Sequence, residues 1–447
     1  MQTRVLAEYA AGLTYDDLPP DVRDRARDCV QDTVGIGIFG AGLPWSRIIV
    51  DYATRNAGAG PCSVFGMPDA AISAPFAALA NGALAHAFEM DSLRTQGAGV
   101  HPAGTAAAAL AVGEEIGATG KELITAFVAG MEVMTRIGLA TRHTPEEKGF
   151  HAPGLTGVFG AAVAAGKLYG LDARAMTHAL GIGGSLCSGL LEFAKSGKGG
   201  MVKRLHLGRS AEGGILAASL AREGFGGPDT VLEGVFGFLA AFTNEPAVEK
   251  LIEGLGETWE TRTICFKRCA CHITAHAPIE ALEELRAEHG FSAEDVKTLT
   301  IGTNQKVLDN HDIRAPRDMM AAQYSVPFPV ALSMFHDAAD PHSFLNVNIA
   351  DPAILDVVTR IRLELFEETR KPGQARVCKV EVELADGRTV GKTMTDWTGT
   401  ATRPMSVDAF DGKFRMATRA MGEEKAEALI ARIKDLENVP DISTLLD

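Results

Sequence analysis

The 447-residue chain lacks the signatures of several large enzyme classes. It has no Gly-x4-Gly-Lys-Ser/Thr phosphate loop and no Gly-x-Ser-x-Gly nucleophile elbow. The glycines of Gly181-Ile-Gly183-Gly184 follow a helical pattern and not a strand, so they do not predict a dinucleotide site. Aromatic residues make up only 6% of the chain. These absences argue against nucleotide-dependent chemistry and against a serine-hydrolase fold, and they favour an enzyme that needs no cofactor.

Positive charge, paired cysteines and long apolar runs are also scarce. The formal net charge is -14, which repels nucleic acid and anionic membranes. By this pattern no run approaches the roughly 20 apolar residues of a membrane span, and the first nine residues lack the apolar core of a secretion signal. Seven cysteines, an odd number, indicate reduced thiols. We therefore predict a cytoplasmic protein with neither nucleic acid nor membrane as a partner.

What the chain has in abundance is small residues in helical patterns. Gly accounts for 48 residues, and the charged fraction of 22% is that of a globular protein. Residues 1–264 show one helical pattern after another, including an Ala-rich run after Pro102 and a capping box from Thr119 to Glu122. We predict that residues 1–264 form the first part of a large all-helical domain.

The pattern changes near residue 265. Val296 to Ile301 and Val377 to Leu384 have strand character, and Asp386-Gly387 predicts a hairpin into a further strand from Thr389. Residues 396–447 are helical again. The prediction is a mainly α protein in which a smaller α+β domain, residues 265–395, is inserted into the helical domain and residues 396–447 complete that domain.

Polar residues first cluster between two Ala-rich helices. Asp91, Arg94, Thr95 and His101 fall within eleven residues, and His101 stands just before a helix start, where free N–H groups favour anions. This favours a carboxylate bound beside an imidazole. The alternative is that Asp91 and His101 only cap helices.

Two further clusters are basic. His151 follows Gly149-Phe150, and Lys203, Arg204 and His206 lie close together in an otherwise acidic chain. Arg binds carboxylates bidentately and Lys binds them as a point charge, so the second group predicts an anion site. A solvated basic helix face explains it equally well.

The last cluster holds Cys265, Lys267, Cys269, Cys271 and His272. Cysteine and histidine at such spacing suggest zinc, but a structural zinc site has two separated ligand pairs and the chain offers only one. We therefore predict that no metal is bound there and that the cysteines serve as small apolar residues.

These segments, taken in order, resemble the MmgE/PrpD superfamily over nearly the whole chain. The resemblance is carried by the following motifs: Asp32-Thr33-Val-Gly-Ile-Gly, His101-Pro-Ala-Gly, Gly149-Phe-His151, Lys203-Arg-Leu-His-Leu-Gly-Arg209, Gly224-Phe-Gly-Gly-Pro228 and Glu233-Gly-Val-Phe-Gly-Phe238. It implies a helical domain with an inserted α+β lid, a site between them, no required metal or cofactor, and a homodimer.

The resemblance matches Asp91, Thr95, His101, His151, Lys203 and Lys267 one by one to site positions of the family. The catalytic candidates are therefore Asp91, His101, His151, Lys203 and Lys267. The substrate-binding candidates are Thr95 together with Arg94, Arg204 and His206, which the polar clusters supply. Two positions depart from the family pattern: Arg94 stands where many members have a second acid, and Phe328 stands where some decarboxylases have a tyrosine.

The chemistry that the resemblance implies is a carbanion next to a carboxylate of a small di- or tricarboxylic acid. Lysines would stabilise the developing charge and histidines would move the proton. The first hypothesis is a hydro-lyase of the 2-methylcitrate dehydratase kind. An epimerase of a dicarboxylate such as iminodisuccinate and a cis-aconitate-type decarboxylase are alternatives. A non-catalytic polycarboxylate-binding protein is an alternative of another class.

Overall fold

The chain divides into two compact units. The computed structural model describes residues 1–96, 99–142, 144–195, 200–345, 349–366 and 377–446. The first unit comprises Met1–Ala87, Asp91–Ile264 and Ala417–Asp447, and the second comprises Phe88–Met90 and Cys265–Met416. The glycine-rich segment before Lys203, at 196–199, lies outside the described residues.

The first unit is built mainly of α-helices. Their bounds are α1 Gln2–Gly12, α2 Pro20–Ala41, α3 Pro44–Asn56, α4 Ala74–Ala85, α5 Pro102–Ile116, α6 Gly120–Ala140, α7 Thr144–Glu147, α8 Ala152–Leu168, α9 Ala173–Gly184, α10 Val202–Arg222 and α11 Phe238–Phe242. Short 3-10 turns cover Tyr15–Asp17, Leu191–Ala194, Val248–Leu251 and Glu260–Thr263. Helices α4, α5, α6, α8 and α10 pack against one another as the centre of this unit.

Small residues let these helices approach closely. A Cβ on Gly208 of α10 would lie 2.3 Å from the carbonyl oxygen of Leu79 on α4, and one on Gly214 would lie 2.4 Å from Ala161 on α8. Such contacts exclude larger side chains, because interiors are already close-packed. The high glycine and alanine content thus serves the packing of α10, the helix that carries Lys203.

Local start signals are confirmed at two helices. Helix α5 begins at Pro102, and α6 begins after Thr119, whose side chain forms the predicted capping box with Glu122. Proline fits the first helical position because that position has no N–H partner inside the helix. Because α5 begins at Pro102, His101 is the residue that immediately precedes this helix.

The expectation that strands occur only in the inserted segment is wrong at one place. Two short antiparallel strands, β1 Ala59–Val64 and β2 Met67–Ile72, lie in the first unit. Their connection uses Gly66 at a φ of 69°. Pro61 and Pro68 interrupt the alternation that predicts a strand, which is why the hairpin was not recognised.

The expectation that no apolar run reaches membrane-spanning length also needs correction. Helix α6 has 21 residues and a mean hydropathy of 1.5, which is enough by length and composition alone. However, 94% of its most apolar window is buried inside the protein. A long apolar helix that its neighbours cover in this way is a core helix.

The second unit combines helices with a four-stranded sheet. Its strands are β3 Val296–Thr303, β4 Ile361–Leu365, β5 Cys378–Leu384 and β6 Thr389–Met394, in the order β4-β3-β5-β6. β3 pairs parallel with β4 and antiparallel with β5, and β5 pairs antiparallel with β6. Its helices are α12 His276–His289, α13 Gln305–Asn310, α14 Met319–Tyr324, α15 Pro327–Leu332 and α16 Pro352–Arg360, with 3-10 turns at Ile273–Ala275 and Pro341–Phe344.

The last part of the chain is helical, as its pattern indicates. Helices α17 Val407–Thr418 and α18 Glu423–Lys434 are followed by 3-10 turns at Leu436–Asn438 and Ile442–Thr444, and Arg419–Met421 forms another between them. The second unit ends at residue 416 rather than at 395. One reason is local: Trp397 is buried against His276, and the Gly399 carbonyl accepts a hydrogen bond from Phe266 N–H at 2.8 Å, all within that unit.

Candidate functional site

A buried carboxylate in the first unit lies between two histidines. Oδ2 of Asp91 accepts hydrogen bonds from Nδ1 of His86 at 2.9 Å and from Nδ1 of His101 at 2.5 Å. Asp91 and His86 have no exposed surface, whereas His101 is 8% exposed. The two imidazole rings are 5.4 Å apart and nearly perpendicular. One carboxylate oxygen therefore orients both rings.

The chain places these groups by simple local rules. His86 follows the last residue of α4, and His101 precedes Pro102, which holds its backbone extended at φ −119° and ψ 115°. The side chain of His101 makes no capping hydrogen bond with α5. Next to Asp91, the N–H of Ser92 donates to Oδ2 of Asp32 at 3.0 Å. The capping alternative therefore fails for His101, whose side chain bonds Asp91.

The charge states follow from burial and from the shared hydrogen bonds. Burial holds the pKa of His86 well below its ordinary value, although Asp91 acts in the opposite direction. Burial alone would raise the pKa of Asp91, but His86 and His101 together hold it well below its ordinary value. The arrangement is thus an ionised Asp91 that accepts from two Nδ1–H groups. When these rings are neutral, both Nε2 atoms carry lone pairs.

A second histidine pair lies next to the first. His151, just before α8, and His206, on α10, place their Nδ1 atoms 2.8 Å apart. The ring of His151 is 5.7 Å from that of His86 and 5.0 Å from that of His206. Burial, then the neighbouring histidines, hold the pKa of His151 well below its ordinary value. Burial and the charge of Lys203 lower the pKa of His206 to about 4.

Basic residues of α10 complete this region of the first unit. Lys203 and Arg204 are buried, at 3% and 4% exposure, so the solvated-face alternative fails for both. The charge of Lys203 lowers the pKa of His86 as well as that of His206. Arg204 donates to the carbonyl of His86 at 3.1 Å. Lys203 thus brings positive charge to the histidines, and Arg204 holds the end of α4.

Arg94 and Thr95 differ in their surroundings. The guanidinium of Arg94 donates to Oε2 of Glu260 at 2.9 Å and to Oγ1 of Thr263 at 2.8 Å, and its exposure is 5%. Arg94 also donates to the Gln96 carbonyl. Thr95 is half-buried. The guanidinium of Arg94 is thus held by a carboxylate from elsewhere in the first unit.

Lys267, the remaining catalytic candidate, belongs to the second unit. Its Nζ donates to Oε2 of Glu89 at 3.2 Å, and both side chains are almost fully buried. Glu89 is part of the short segment Phe88–Met90 and has a φ of 47°. This backbone region is uncommon for a residue other than glycine and is held by surrounding contacts. Nζ of Lys413 donates to the Met90 carbonyl at 2.8 Å in the same unit.

Histidines also meet in the second unit. The rings of His272 and His311 stack at 4.1 Å, and the ring of Tyr324 lies 5.2 Å from that of His272. Nδ1 of His311 donates to the Tyr324 carbonyl at 2.8 Å. Phe328 is fully buried, and its N–H donates to Oγ of Ser325 at 3.0 Å. The tyrosine of this segment, Tyr324, thus lies immediately before Ser325, whereas the aromatic residue after Ser325 is Phe328.

Sequence reasoning missed His86, Glu89 and Glu260. The first two come five and two residues before Asp91, at the end of an Ala-rich helix pattern. A histidine and an acid in an otherwise apolar run were a usable signal, because buried polar groups need partners. Glu260 had no such signal, since its contact with Arg94 joins residues 166 positions apart.

The side chains of His86, Asp91 and His101 are also of the kinds that bind metal cations. One ligand atom each from His86, Asp91 and His101 can be chosen so that all lie within 4.8 Å of one another. The two hydrogen bonds to Asp91 account for the same short contacts without a metal. That the protein works without a metal stays a prediction, here as at Cys265–His276.

Comparison with known proteins covers almost the whole chain. The MmgE/PrpD N-terminal domain matches residues 4–251, and the MmgE/PrpD C-terminal domain matches residues 269–438. A cis-aconitate decarboxylase of Aspergillus terreus is 28% identical over 471 residues, which span 100% of this chain and 95% of that protein. The human cis-aconitate decarboxylase is 27% identical, over 99% of this chain and 93% of its own length. The mouse protein of the same name is 25% identical.

Proposed function

The chain belongs to the MmgE/PrpD family, and we propose that it is a lyase that removes CO2 from a small unsaturated tricarboxylate such as cis-aconitate. The observation that carries the proposal is the carboxylate of Asp91, shared by His86 and His101. This arrangement supplies acid and base groups without a cofactor. The names of the full-length relatives supply the substrate class.

Decarboxylation needs a site that stabilises an electron pair and then supplies a proton. The carbon–carbon bond to one carboxylate breaks, CO2 leaves, and the electron pair spreads into a neighbouring carboxylate as an enediolate. A proton then adds to carbon, so each turnover consumes one proton. The site must therefore hold positive charge near the remaining carboxylates and present an acid to the carbon.

The first unit offers both. We assign carboxylate binding and charge stabilisation to Lys203, because a buried ammonium acts in a low local dielectric. We assign proton transfer to Nε2 of His151 and to Nε2 of His101, which is the slightly exposed member of the Asp91-linked pair. When this Nε2 is protonated, the Nδ1–H bond to Asp91 stabilises the imidazolium. His86, fully buried, fixes Asp91 from the other side.

Other predicted roles are kept as proposals with narrower support. His151 and His206 share one hydrogen bond beside His86, which favours proton transfer over carboxylate binding. Arg204 holds the His86 carbonyl. A substrate-binding role for Thr95 and a catalytic role for Lys267 stay predictions that rest on the family resemblance. We also retain the prediction that the second unit is an inserted lid.

The hydro-lyase and epimerase hypotheses share the same first intermediate and differ in its fate. A β-hydroxyl leaves in a dehydration, and a proton returns to the opposite face in an epimerisation. Arg94, which stands where many family members have a second acid, could favour an epimerase only if it met the substrate, but its guanidinium is bonded to Glu260 and Thr263. The relatives' names therefore weigh more, and decarboxylation becomes the first hypothesis.

One product analysis tests this choice. The protein is incubated in D2O with cis-aconitate, citrate, methylcitrate, tartrate and iminodisuccinate, and NMR follows each compound, with and without prior chelation. The expected result is loss of cis-aconitate with formation of CO2 and a product that carries one solvent deuteron, unaffected by chelation. Lys203→Met should lower the rate about a hundredfold, in line with the loss of a charge-stabilising donor. Turnover of a hydroxy acid without CO2 would overturn the decarboxylase proposal, and binding without any exchange would favour a binding protein.

A further inference from the structure

Two histidines of the first unit face each other through the same ring nitrogen. Nδ1 of His151 and Nδ1 of His206 are 2.8 Å apart, a distance at which one hydrogen lies between them. One ring must therefore donate while the other accepts. Each ring is then left with its Nε2, and the two Nε2 atoms have opposite protonation when both rings are neutral.

The surroundings hold this pair in place. The N–H of His151 donates to the Gly189 carbonyl at 3.0 Å, and Gly189 has a φ of 138°. A Cβ on Gly189 would lie 3.3 Å from Nδ1 of His206, so the missing side chain leaves room for that ring. The ring of Phe193 packs 5.2 Å from His151 and 5.9 Å from His206. Gly189 and Phe193, which follow α9 in the chain, thus enclose the contact between the His151 and His206 rings.

The two rings differ in their access to solvent. His151 is buried and lies beside His86, whereas His206 is half-buried on α10. Burial keeps both rings neutral near pH 7, and the charge of Lys203 adds to this for His206. A neutral pair with one inner and one outer ring can move a proton without creating a buried charge.

We propose that His151 and His206 form a proton toggle in which His206 sets whether His151 presents an acid or a base to the substrate. In the acid state, His151 carries its proton on Nε2 and His206 carries its proton on Nδ1. In the base state, His151 carries its proton on Nδ1 and His206 carries its proton on Nε2. His206 is then a positioning and proton-transfer residue and not a carboxylate ligand. This inference rests on the proposed function only for the direction of net proton flow.

The proton balance closes over one decarboxylation. Nε2 of His206 takes a proton from solvent, Nδ1–H of His206 passes its proton to Nδ1 of His151, and Nε2–H of His151 gives its proton to carbon of the enediolate that forms as CO2 leaves. The pair is then in the base state. After product release, Nε2 of His151 takes a proton from water in the emptied site, the Nδ1–H proton of His151 passes back to Nδ1 of His206, and Nε2–H of His206 releases its proton to solvent, which restores the acid state. The net change is one proton from solvent to carbon, as the reaction requires.

The activity test uses His206→Gln, with His178→Gln as its matched control. His178 is a half-buried histidine of the first unit, bonded through Nδ1 to the Gly227 carbonyl. Glutamine at position 206 keeps a hydrogen bond to His151 but cannot exchange a proton along it. We expect kcat to fall at least about tenfold, with KM within about twofold, as for partial loss of acid–base catalysis. His178→Gln should keep the parent kcat.

A second variant, His206→Ala, separates proton transfer from packing. Added imidazole can fill the space left at a half-buried position and restore the exchange. We expect millimolar imidazole to raise kcat of His206→Ala severalfold and to leave the parent and His178→Gln unchanged. A raised KM with unchanged kcat in His206→Gln would instead make His206 a substrate ligand and overturn the toggle. So would a folded His206→Ala that is slow and not rescued.

A measurement without substrate keeps the toggle separate from the proposed function. 15N NMR of labelled histidines reports which ring nitrogens carry protons. The expected result is one proton shared between the two Nδ1 atoms, with the His151 signals shifted in His206→Gln. Two Nδ1 atoms without a shared proton would overturn the toggle even if cis-aconitate is decarboxylated. A shared proton in a protein that decarboxylates nothing would overturn the proposed function alone.

Discussion

At the scale of single residues, Asp91 determines what two histidines can do. A carboxylate that accepts from Nδ1–H leaves Nε2 as the reactive nitrogen, as in hydrolase triads in which an aspartate fixes a histidine tautomer. Here one oxygen orients both His86 and His101. The fully buried position makes the carboxylate dependent on these two partners, because an unpaired buried charge is costly.

Asp91→Asn tests this role. An amide is neutral and has one accepting oxygen, so it holds two Nδ1–H groups less strongly than the carboxylate does, and an NH2 group at the position of Oδ2 would accept from neither. One histidine should then adopt the other tautomer, and we expect kcat to fall at least about a hundredfold. Circular dichroism and thermal melting check that the variant is folded. A folded Asp91→Asn with the parent kcat would show that the carboxylate does not set a reactive tautomer.

The depressed histidine pKa values predict a pH dependence of stability. An unfolded histidine gains a proton below about pH 6.5, whereas folded His206 does so only near pH 4. The unfolded state therefore binds more protons between these values, and the free energy of unfolding falls as the pH falls. His86, His151 and His276 act in the same sense, while Asp28, whose pKa burial raises to about 6, acts oppositely.

The contribution of His206 is isolated by comparing the parent with His206→Gln. Urea unfolding at pH 7.5 and 5.5 should show a smaller loss of stability in the variant. The expected difference is below about 1 kcal/mol, because one pKa unit corresponds to about 1.4 kcal/mol and solvent screens a half-buried group. Equal losses in both proteins would mean that His206 is protonated at the same pH whether the protein is folded or not.

At the scale of elements, the segment between α4 and α5 carries much of the candidate site. Within this segment, the N–H of Arg94 donates to the Val100 carbonyl at 2.9 Å. The side chain of Arg94 donates to Glu260 and Thr263 in the 3-10 turn Glu260–Thr263. That turn is held in turn by Glu132 of α6, which accepts from the N–H of Thr261 at 2.8 Å. The segment is therefore tied to the core of the first unit through Arg94.

A double-mutant cycle on Arg94 and Glu260 distinguishes a structural role from substrate binding. If the pair only holds the segment, Arg94→Met and Glu260→Gln should each lower stability, and the double variant should lose clearly less than their sum. Breaking such a buried pair costs on the order of 3 kcal/mol. If Arg94 binds substrate, Arg94→Met should raise KM about tenfold or more while Glu260→Gln does not. Steady-state kinetics and urea unfolding give both readouts.

Elements with local signals were predictable, and contacts between distant elements were not. Pro102 and the Thr119 capping box fixed two helix starts, and Asp386-Gly387 marked the hairpin between β5 and β6. The β1–β2 hairpin was missed because its prolines mask the strand pattern. Strand β4 was missed because its parallel pairing with β3 depends on residues about sixty positions away.

The same limit applies to the candidate site. His101 was recognised because it stands just before a helix that starts with Pro102, and His151 because it completes the motif Gly149-Phe-His151. Their partners were not assigned, because the contact of His151 with His206 joins residues 55 positions apart. Spacing along a chain indicates which residues share an element, but tertiary packing decides which side chains share a proton.

At the scale of the whole molecule, one exposed feature bears on the predicted homodimer. Phe236 is 98% exposed and Val235 is 85% exposed, between two glycines of the first unit. Single exposed apolar residues are ordinary. Burying an almost fully solvated phenylalanine and the valine next to it would, however, be favourable, because it removes apolar surface from water. A second copy of the chain, already predicted from the family resemblance, would bury them.

Phe236→Ser tests this prediction, with Ile48→Ser as a control at another exposed apolar position, 64% exposed on α3. Light scattering of the parent at micromolar concentration should give about twice the chain mass of 47.2 kDa. Burial of a phenylalanine side chain contributes roughly 2 kcal/mol, and a dimer contains two copies. Phe236→Ser should therefore weaken dimerisation by up to roughly a thousandfold and give monomers, whereas Ile48→Ser should stay dimeric. A parent that is monomeric would refute the homodimer, and a Phe236→Ser protein that stays dimeric at nanomolar concentration would place the interface elsewhere on the surface.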